Sequence, residues 1–217
     1  MADRKASKAA SKATGSPAPA PAIDPASVLA QHLGAHIAAG IEAERLLPEV
    51  ERVAARVIEA FAAGGRLYAF GNGGSAADAQ HLAGELIGHY KRDRRPLPAV
   101  ALSTDPSVVS CIANDYSFDD VFARQVEALA RPGDVVVGFS TSGRSPNVVA
   151  GLAAGRTAGA TTVLFTGRDG NAAAVHADFV LAAPADATAR IQELHVLFLH
   201  LVSEAVDAWA ADEDGAG

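Results

Sequence analysis

Five short apolar runs, each followed by a longer stretch of helical or turn pattern, constrain this chain more than any other feature. The runs are Arg66–Phe70, Ala99–Leu102, Asp134–Phe139, Thr161–Thr166 and Asp178–Leu181. Segments of helical pattern, Ala76–Tyr90, Phe118–Ala130, Asn147–Ala158 and Thr188–Ala210, lie between or after them. Strands joined through helices need crossover connections, which make the strands parallel, and a parallel sheet needs cover on both faces. Two further helical periodicities, Val28–Ala43 and Leu46–Ala63, precede the first run, and Gly64-Gly65 ends the second. The predicted class is α/β: one five-stranded parallel sheet flanked by helices, with an antiparallel N-terminal helical pair.

Length and charge narrow the possibilities. At 217 residues the chain fits one well-filled domain, here expected over 23–210. Residues 2–22 are mostly Ala, Lys, Ser and Pro with no large apolar side chain, so 1–22 are expected to be a disordered tail. The acidic, Gly-containing residues 211–217 are expected to fray as a flexible C-terminal tail. The net charge is −7, and the first 22 residues carry +3 of it, leaving −10 on the body. A body so acidic lacks the clustered Lys and Arg that phosphate backbones require, which argues against nucleic acid as a partner. The single Cys111 excludes an intramolecular disulfide and a thiolate metal cluster. No run of some 20 apolar residues is evident, so no membrane association is expected. With no apolar segment behind the basic N-terminus to make a signal peptide, the expected location is cytoplasmic.

Two loops carry chemistry. Gly71-Asn72-Gly73-Gly74-Ser75 follows the first strand and opens into a helix that Ser75 can cap. Its glycine spacing fits neither a P-loop nor a dinucleotide fingerprint, and it reads either as a ligand loop or as a plain strand-to-helix turn. Ser140-Thr141-Ser142-Gly143-Arg144-Ser145-Pro146 follows the third run. Capping would use Ser145 alone; four hydroxyls around one glycine at a helix N-terminus favour an anion, specifically a phosphate monoester. His81 and Glu85 stand at i and i+4 on the helix leaving the first loop, a spacing suited to a shared metal or to a carboxylate base beside an imidazole, and equally common in surface pairs. Asn114-Asp115 reads as a sugar-hydroxyl contact or as a turn. His200, within apolar Leu194–Val202, reads by itself as a core histidine.

In order, Gly-Asn-Gly-Gly-Ser at 71–75, Asp78-Ala79-Gln80-His81-Leu82-Ala83-Gly84-Glu85-Leu86, Cys111-Ile112-Ala113-Asn114-Asp115, Ser140-Thr141-Ser142-Gly143 and Ala189-Arg190-Ile191-Gln192-Glu193-Leu194-His195 resemble the phosphoheptose isomerases of the sugar isomerase (SIS) fold over about 28–209. The resemblance implies an aldose–ketose isomerase acting on sedoheptulose 7-phosphate to give D-glycero-D-manno-heptose 7-phosphate, early in activated-heptose synthesis. It implies that Ser140, Thr141, Ser142 and Ser145 hold the phosphate. Asn72, Gly73, Gly74, Ser75, Asn114 and Asp115 would bind the sugar, with Gln192 also at the substrate. It further implies a zinc ion on His81, Glu85, Gln192 and His200, an acid–base pair of Glu85 and His200, and a homotetramer.

Three residues depart from the family pattern: Arg144 for a common Asn, Gly84 for an acidic residue, and Ala189 for Asp in some members. The competing assignment is a non-catalytic SIS adaptor that binds a DNA-replication initiator; that branch lacks the catalytic Glu and the last His, both retained here. Gln192 and His200 are eight residues apart on one helix, about 12 Å along its axis and about 80° around it, so one straight helix cannot bring both to one ion. No Pro or Gly lies between them to break the helix, so the active sites are expected at subunit interfaces.

Overall fold

A computed structural model describes residues 24–215. The expected tail at 1–22 lies outside the described residues. Five strands form one parallel sheet: β1 (Leu67–Gly71), β2 (Ala99–Ala101), β3 (Val135–Ser140), β4 (Thr161–Thr166) and β5 (Phe179–Ala182), in the order β2-β1-β3-β4-β5. Successive strand residues point to opposite faces and feed separate cores. Leu67, Ala69, Val135, Val137, Phe139, Val163 and Phe165 face one, and Tyr68, Phe70, Val136 and Leu164 the other.

The first core is closed by α2 (Leu47–Ala62), α3 (Gly74–Ile87) and α8 (Thr188–Gly215), and the second by α5 (Ala123–Leu129) and α6 (Pro146–Thr157). Between β2 and α5 the chain forms α4 (Pro106–Asp115), and α7 (Asn171–Ala174) is a single turn. The sequence pattern does not anticipate α4, although Asp105 caps it by accepting from the Ser107 and Val108 amides and Pro106 stands in its first turn. The predicted helix over 118–130 is a 3₁₀ turn at Phe118–Asp120 followed by α5.

The N-terminal helices correct the expected antiparallel pair. α1 (Pro25–Ala43) and α2 follow one another through a 3₁₀ turn at Glu44–Leu46 and scarcely touch; each packs on α8 instead. Ala43, Glu44, Leu46 and Leu47 all keep right-handed helical dihedrals, so nothing reverses the chain there.

α8 is the spine of the first core. Leu194, Phe198 and Leu199 are almost wholly buried, each worth about 1.5–3 kcal/mol of transfer free energy. It is also long and apolar enough, by length and composition, to cross a membrane, a stretch not evident from the sequence; half of that apolar window is buried inside the fold. The expected fraying from 211 is not what the structure shows: α8 continues to Gly215, and Glu213 and Asp214 accept from the Arg95 guanidinium at 2.7 and 2.6 Å. Residues 216 and 217 lie outside the described residues.

Candidate active site

The chain leaves β1 for β2 on one side and returns to β3 on the other, so the sheet's switch point lies between β1 and β3. In open parallel sheets the crevice at such a point, outside the strand carboxyl ends, is where ligands bind. Both chemically conspicuous loops arise there, one from β1 and one from β3.

In the first loop Gly73 has φ +56° and ψ −120°, a conformation closed to residues with a Cβ, and a Cβ on Gly71 would lie 2.6 Å from the Ser75 carbonyl oxygen. The loop is therefore backbone folded tightly against itself. Ser75 is not the cap expected from the sequence: α3 begins at Gly74, Gly73 holds the cap position, and Ser75 is buried in the first turn. The Asn72 amide is also committed. It donates to Asn147 Oδ1 at 2.8 Å and accepts from Asn147 Nδ2 at 2.9 Å. Asn147, 1% exposed at the start of α6, thereby latches the two loops together, a residue the sequence reading missed. Its signal was an amide side chain directly after Ser145-Pro146.

The second loop is built to leave hydroxyls unspent. Ser145 occupies the N-cap of α6, yet its side chain makes no capping bond; its Oγ lies 3.3 Å from Ser140 Oγ. Gly143, at φ +62°, turns the chain, and backbone bonds tie it down: the Ala173 amide donates to Gly143 O and the Gly167 amide to Thr141 O. Ser142 Oγ accepts from the Arg144 amide at 3.2 Å. Arg144, the departure from the family pattern, turns its guanidinium to Asn171 Oδ1 at 3.1 Å, and Asn171 donates to Ser142 O at 2.8 Å. The loop thus sets the Ser140 and Ser145 hydroxyls side by side at the N-terminus of α6, with Thr141 and Ser142 next to them in the chain, donor chemistry of the kind that suits an anion.

A second chemical centre lies farther along α3. His81 Nε2 is 2.9 Å from Glu85 Oε1, and His200 Nε2, from α8, is 3.3 Å from His81 Nε2. One ligand atom from each falls within 4.8 Å of the others. Two zinc-bound nitrogens at about 2.0–2.1 Å in tetrahedral geometry stand about 3.4 Å apart, so the pair of imidazoles with one carboxylate fits a three-ligand zinc site with an open position. Burial and the neighbouring His81 push the His200 imidazole below its ordinary value, with Glu85 opposing them.

Gln192 does not join this group. α3 and α8 run side by side in the same direction, so Gln192 projects onto Gly74, where a Cβ would collide with its side-chain amide, and His200 meets His81 two turns on. Within one chain the expected four-ligand set is therefore three plus Gln192 at the glycine loop. Asn114 and Asp115 are exposed at the end of α4; Asn114 Nδ2 donates to Asp115 Oδ1 at 2.7 Å, and Cys111 is Asp115's other side-chain partner.

Known proteins share this architecture. The SIS domain family model matches residues 19–167, spanning both loops, His81 and Glu85. The phosphoheptose isomerase of Roseiflexus sp. is 49% identical over 170 residues, 78% of this chain and 86% of that protein. The chain belongs to the phosphoheptose isomerase family. It is thus a sugar-phosphate isomerase of the SIS fold. Among solved structures, the phosphoheptose isomerase of Neisseria gonorrhoeae aligns with a TM-score of 0.80 at 42% identity, covering 84% of this chain and 98% of that one. That of Francisella tularensis aligns with a TM-score of 0.83 at 29% identity, covering 86% and 100%.

Proposed function

We propose that the protein interconverts sedoheptulose 7-phosphate and D-glycero-D-manno-heptose 7-phosphate. The observation that carries this is the convergence of Glu85, His81 and His200 on α3 and α8, with α3 rising from a loop latched to the start of α6 beside the hydroxyl-rich loop. Ser140, Thr141, Ser142 and Ser145 hold the 7-phosphate through hydroxyls and the free amides of α6. Asn114 and Asp115, the backbone of Asn72–Gly74 and the amide of Gln192 serve the sugar.

In the ketose-to-aldose direction Glu85 takes a proton from C1, giving a 1,2-enediol, and returns it to C2; the hydroxyl proton moves from O1 to O2 as the carbonyl moves from C2 to C1. One carboxylate suffices because the proton leaves and returns on one face, while His200 gives and takes the oxygen-bound proton. A lowered imidazole value suits that task, because it favours the neutral ring that can accept a proton. His81, Glu85 and His200 would hold a zinc ion, which when bound supplies Lewis-acid stabilisation of the enediolate oxygens.

The working unit in this reading is a homotetramer with shared sites. Two features support it. His81 and Glu85 lie seven and eleven residues past Gly74, about 10–17 Å down the helix from the glycine loop. And α1 leaves Leu29, Leu33, Ile37 and Ile41, one residue per helical turn, 53–70% exposed, an apolar stripe suited to burial against another copy. The test is incubation of purified protein with sedoheptulose 7-phosphate, zinc supplied, and NMR analysis of the product. Formation of the aldose, with solvent deuterium entering C1 or C2, is expected; no turnover at micromolar enzyme overturns the assignment and leaves an adaptor role.

A further inference from the structure

Beyond the site stands a buried ion pair that nothing in the chemistry above uses. Asp207, on α8 seven residues past His200, is wholly buried, and Arg94, in the segment joining α3 to β2, has a side chain 1% exposed. Asp207 Oδ1 accepts from Arg94 Nε and the Tyr90 amide, both at 3.2 Å; Oδ2 accepts from the Lys91 and Arg92 amides at 3.2 and 2.8 Å. Three consecutive backbone amides on one carboxylate fix the fold of that segment.

The guanidinium works on the other side. Arg94 Nη2 donates to the Glu85 carbonyl at 2.7 Å, and Nη1 to the Leu86 and Arg95 carbonyls at 2.8 Å. A cation thus seals the last turn of α3, where carbonyls lack helical partners and the dipole is negative. That turn carries Glu85. The segment pinned by Asp207 also sets Tyr90 on His200, ring centroids 5.6 Å apart and planes 34° apart, while Lys91 and Arg92 pair with Glu204. One buried pair therefore fixes both the backbone under Glu85 and the ring against His200. A stability role alone does not require the tyrosine to land there.

We propose that Tyr90 is a positioning residue for the His200 imidazole and that the Asp207–Arg94 pair acts as the brace that seats it. The inference rests on His200 serving the isomerisation. A misplaced imidazole slows chemistry without weakening substrate binding, since the phosphate and sugar are held elsewhere. Removing such outer support costs 10–100-fold, so Tyr90→Ala should lower kcat by about 10-fold or more with KM within about twofold and thermal unfolding little changed. Tyr90→Phe should restore kcat, because the ring and not the hydroxyl makes the contact.

His200→Ala is measured alongside. If it keeps wild-type activity, the catalytic assignment of His200 fails; if it is inactive while Tyr90→Ala retains wild-type kcat, the positioning role fails. A rise in KM with kcat unchanged in Tyr90→Ala also overturns the proposal, because Tyr90 would then be a substrate contact. The brace is tested by coupling: in an Asp207→Asn background that remains folded by circular dichroism, Tyr90→Ala should cost nothing further, whereas multiplying losses would show that the two act independently. Should Asp207→Asn not fold, Arg94→Lys, which keeps the charge and loses the fork of donors, takes its place under the same criterion.

Discussion

The hydroxyl loop after β3 and the His81–Glu85–His200 cluster are built on opposite plans. The loop is a single stretch, Ser140–Ser145, whose hydroxyl residues stand consecutively around one positive-φ glycine at a helix start. The cluster joins residues 119 positions apart and exists only because α3 and α8 pack in parallel register. A contiguous site is made by local turn chemistry and tolerates changes elsewhere; a packed site depends on every contact that sets the helix register. Binding and chemistry should therefore separate cleanly under mutation.

The largest expected effect tests the packed site. Glu85→Gln keeps the side-chain shape and removes the base, so kcat should fall by about 10²-fold or more while thermal unfolding stays near wild type. A mutant with wild-type kcat would remove Glu85 from the mechanism. The contiguous site is probed by Ser145→Ala. Because Ser145 makes no capping bond, its loss should leave the melting temperature nearly unchanged, whereas a capping serine would cost about 1 kcal/mol of stability. KM for the phosphorylated substrate should rise by about tenfold or more, since a hydrogen bond to an anion is worth about 1.5–3 kcal/mol. A large loss of stability with KM unchanged would make the loop a plain helix cap.

Mixing inactive Glu85→Gln with inactive His200→Ala subunits sharpens the contrast further. Because Glu85 and His200 meet within one chain, no activity should return after proven subunit exchange; partial recovery would show that the two serve one site from different chains. A smaller effect is expected where the regions meet. Asn147→Ala breaks the reciprocal amide pair with Asn72 and should raise KM a few-fold through a loosened loop, with kcat less affected.

At the brace the expected effect is one of pH on stability. Burial pushes the Asp207 carboxyl upward, but the Arg92, Tyr90 and Lys91 amides and the Arg94 charge outweigh it and hold it below its ordinary value. Its folded value is thus below its unfolded one. The stability it contributes is fully present above about pH 4 and is lost as pH falls through the depressed value. Acid unfolding followed by circular dichroism should show a shallower loss in Asp207→Asn than in wild type across that range.

How much of this was legible beforehand follows the same division. The strands were readable because a sheet covered on both faces demands continuous apolar runs, and Thr161–Thr166 matches β4 residue for residue. The hydroxyl loop was readable because its donors are consecutive. α4 was passed over although Asp105-Pro106 announces it, and Asn147 was hidden because its role is to meet a residue 75 positions away. His200 looked like any histidine in an apolar helix, and only the family resemblance singled it out.

By itself, the sequence determined the α/β class, the identity of the strands and the hydroxyl-rich loop that follows β3, because these rest on periodicity and turn chemistry within a few residues. Only the tertiary structure decided the strand order that sets the two loops side by side, the 3₁₀ junction that carries α1 away from α2, the placement of Gln192 at the glycine loop, and the brace from Asp207 to Arg94. Each of these depends on which surfaces meet. That is settled by the packing of whole elements against one another, where burial and hydrogen-bond satisfaction are summed over the domain and no local stretch of chain carries the answer.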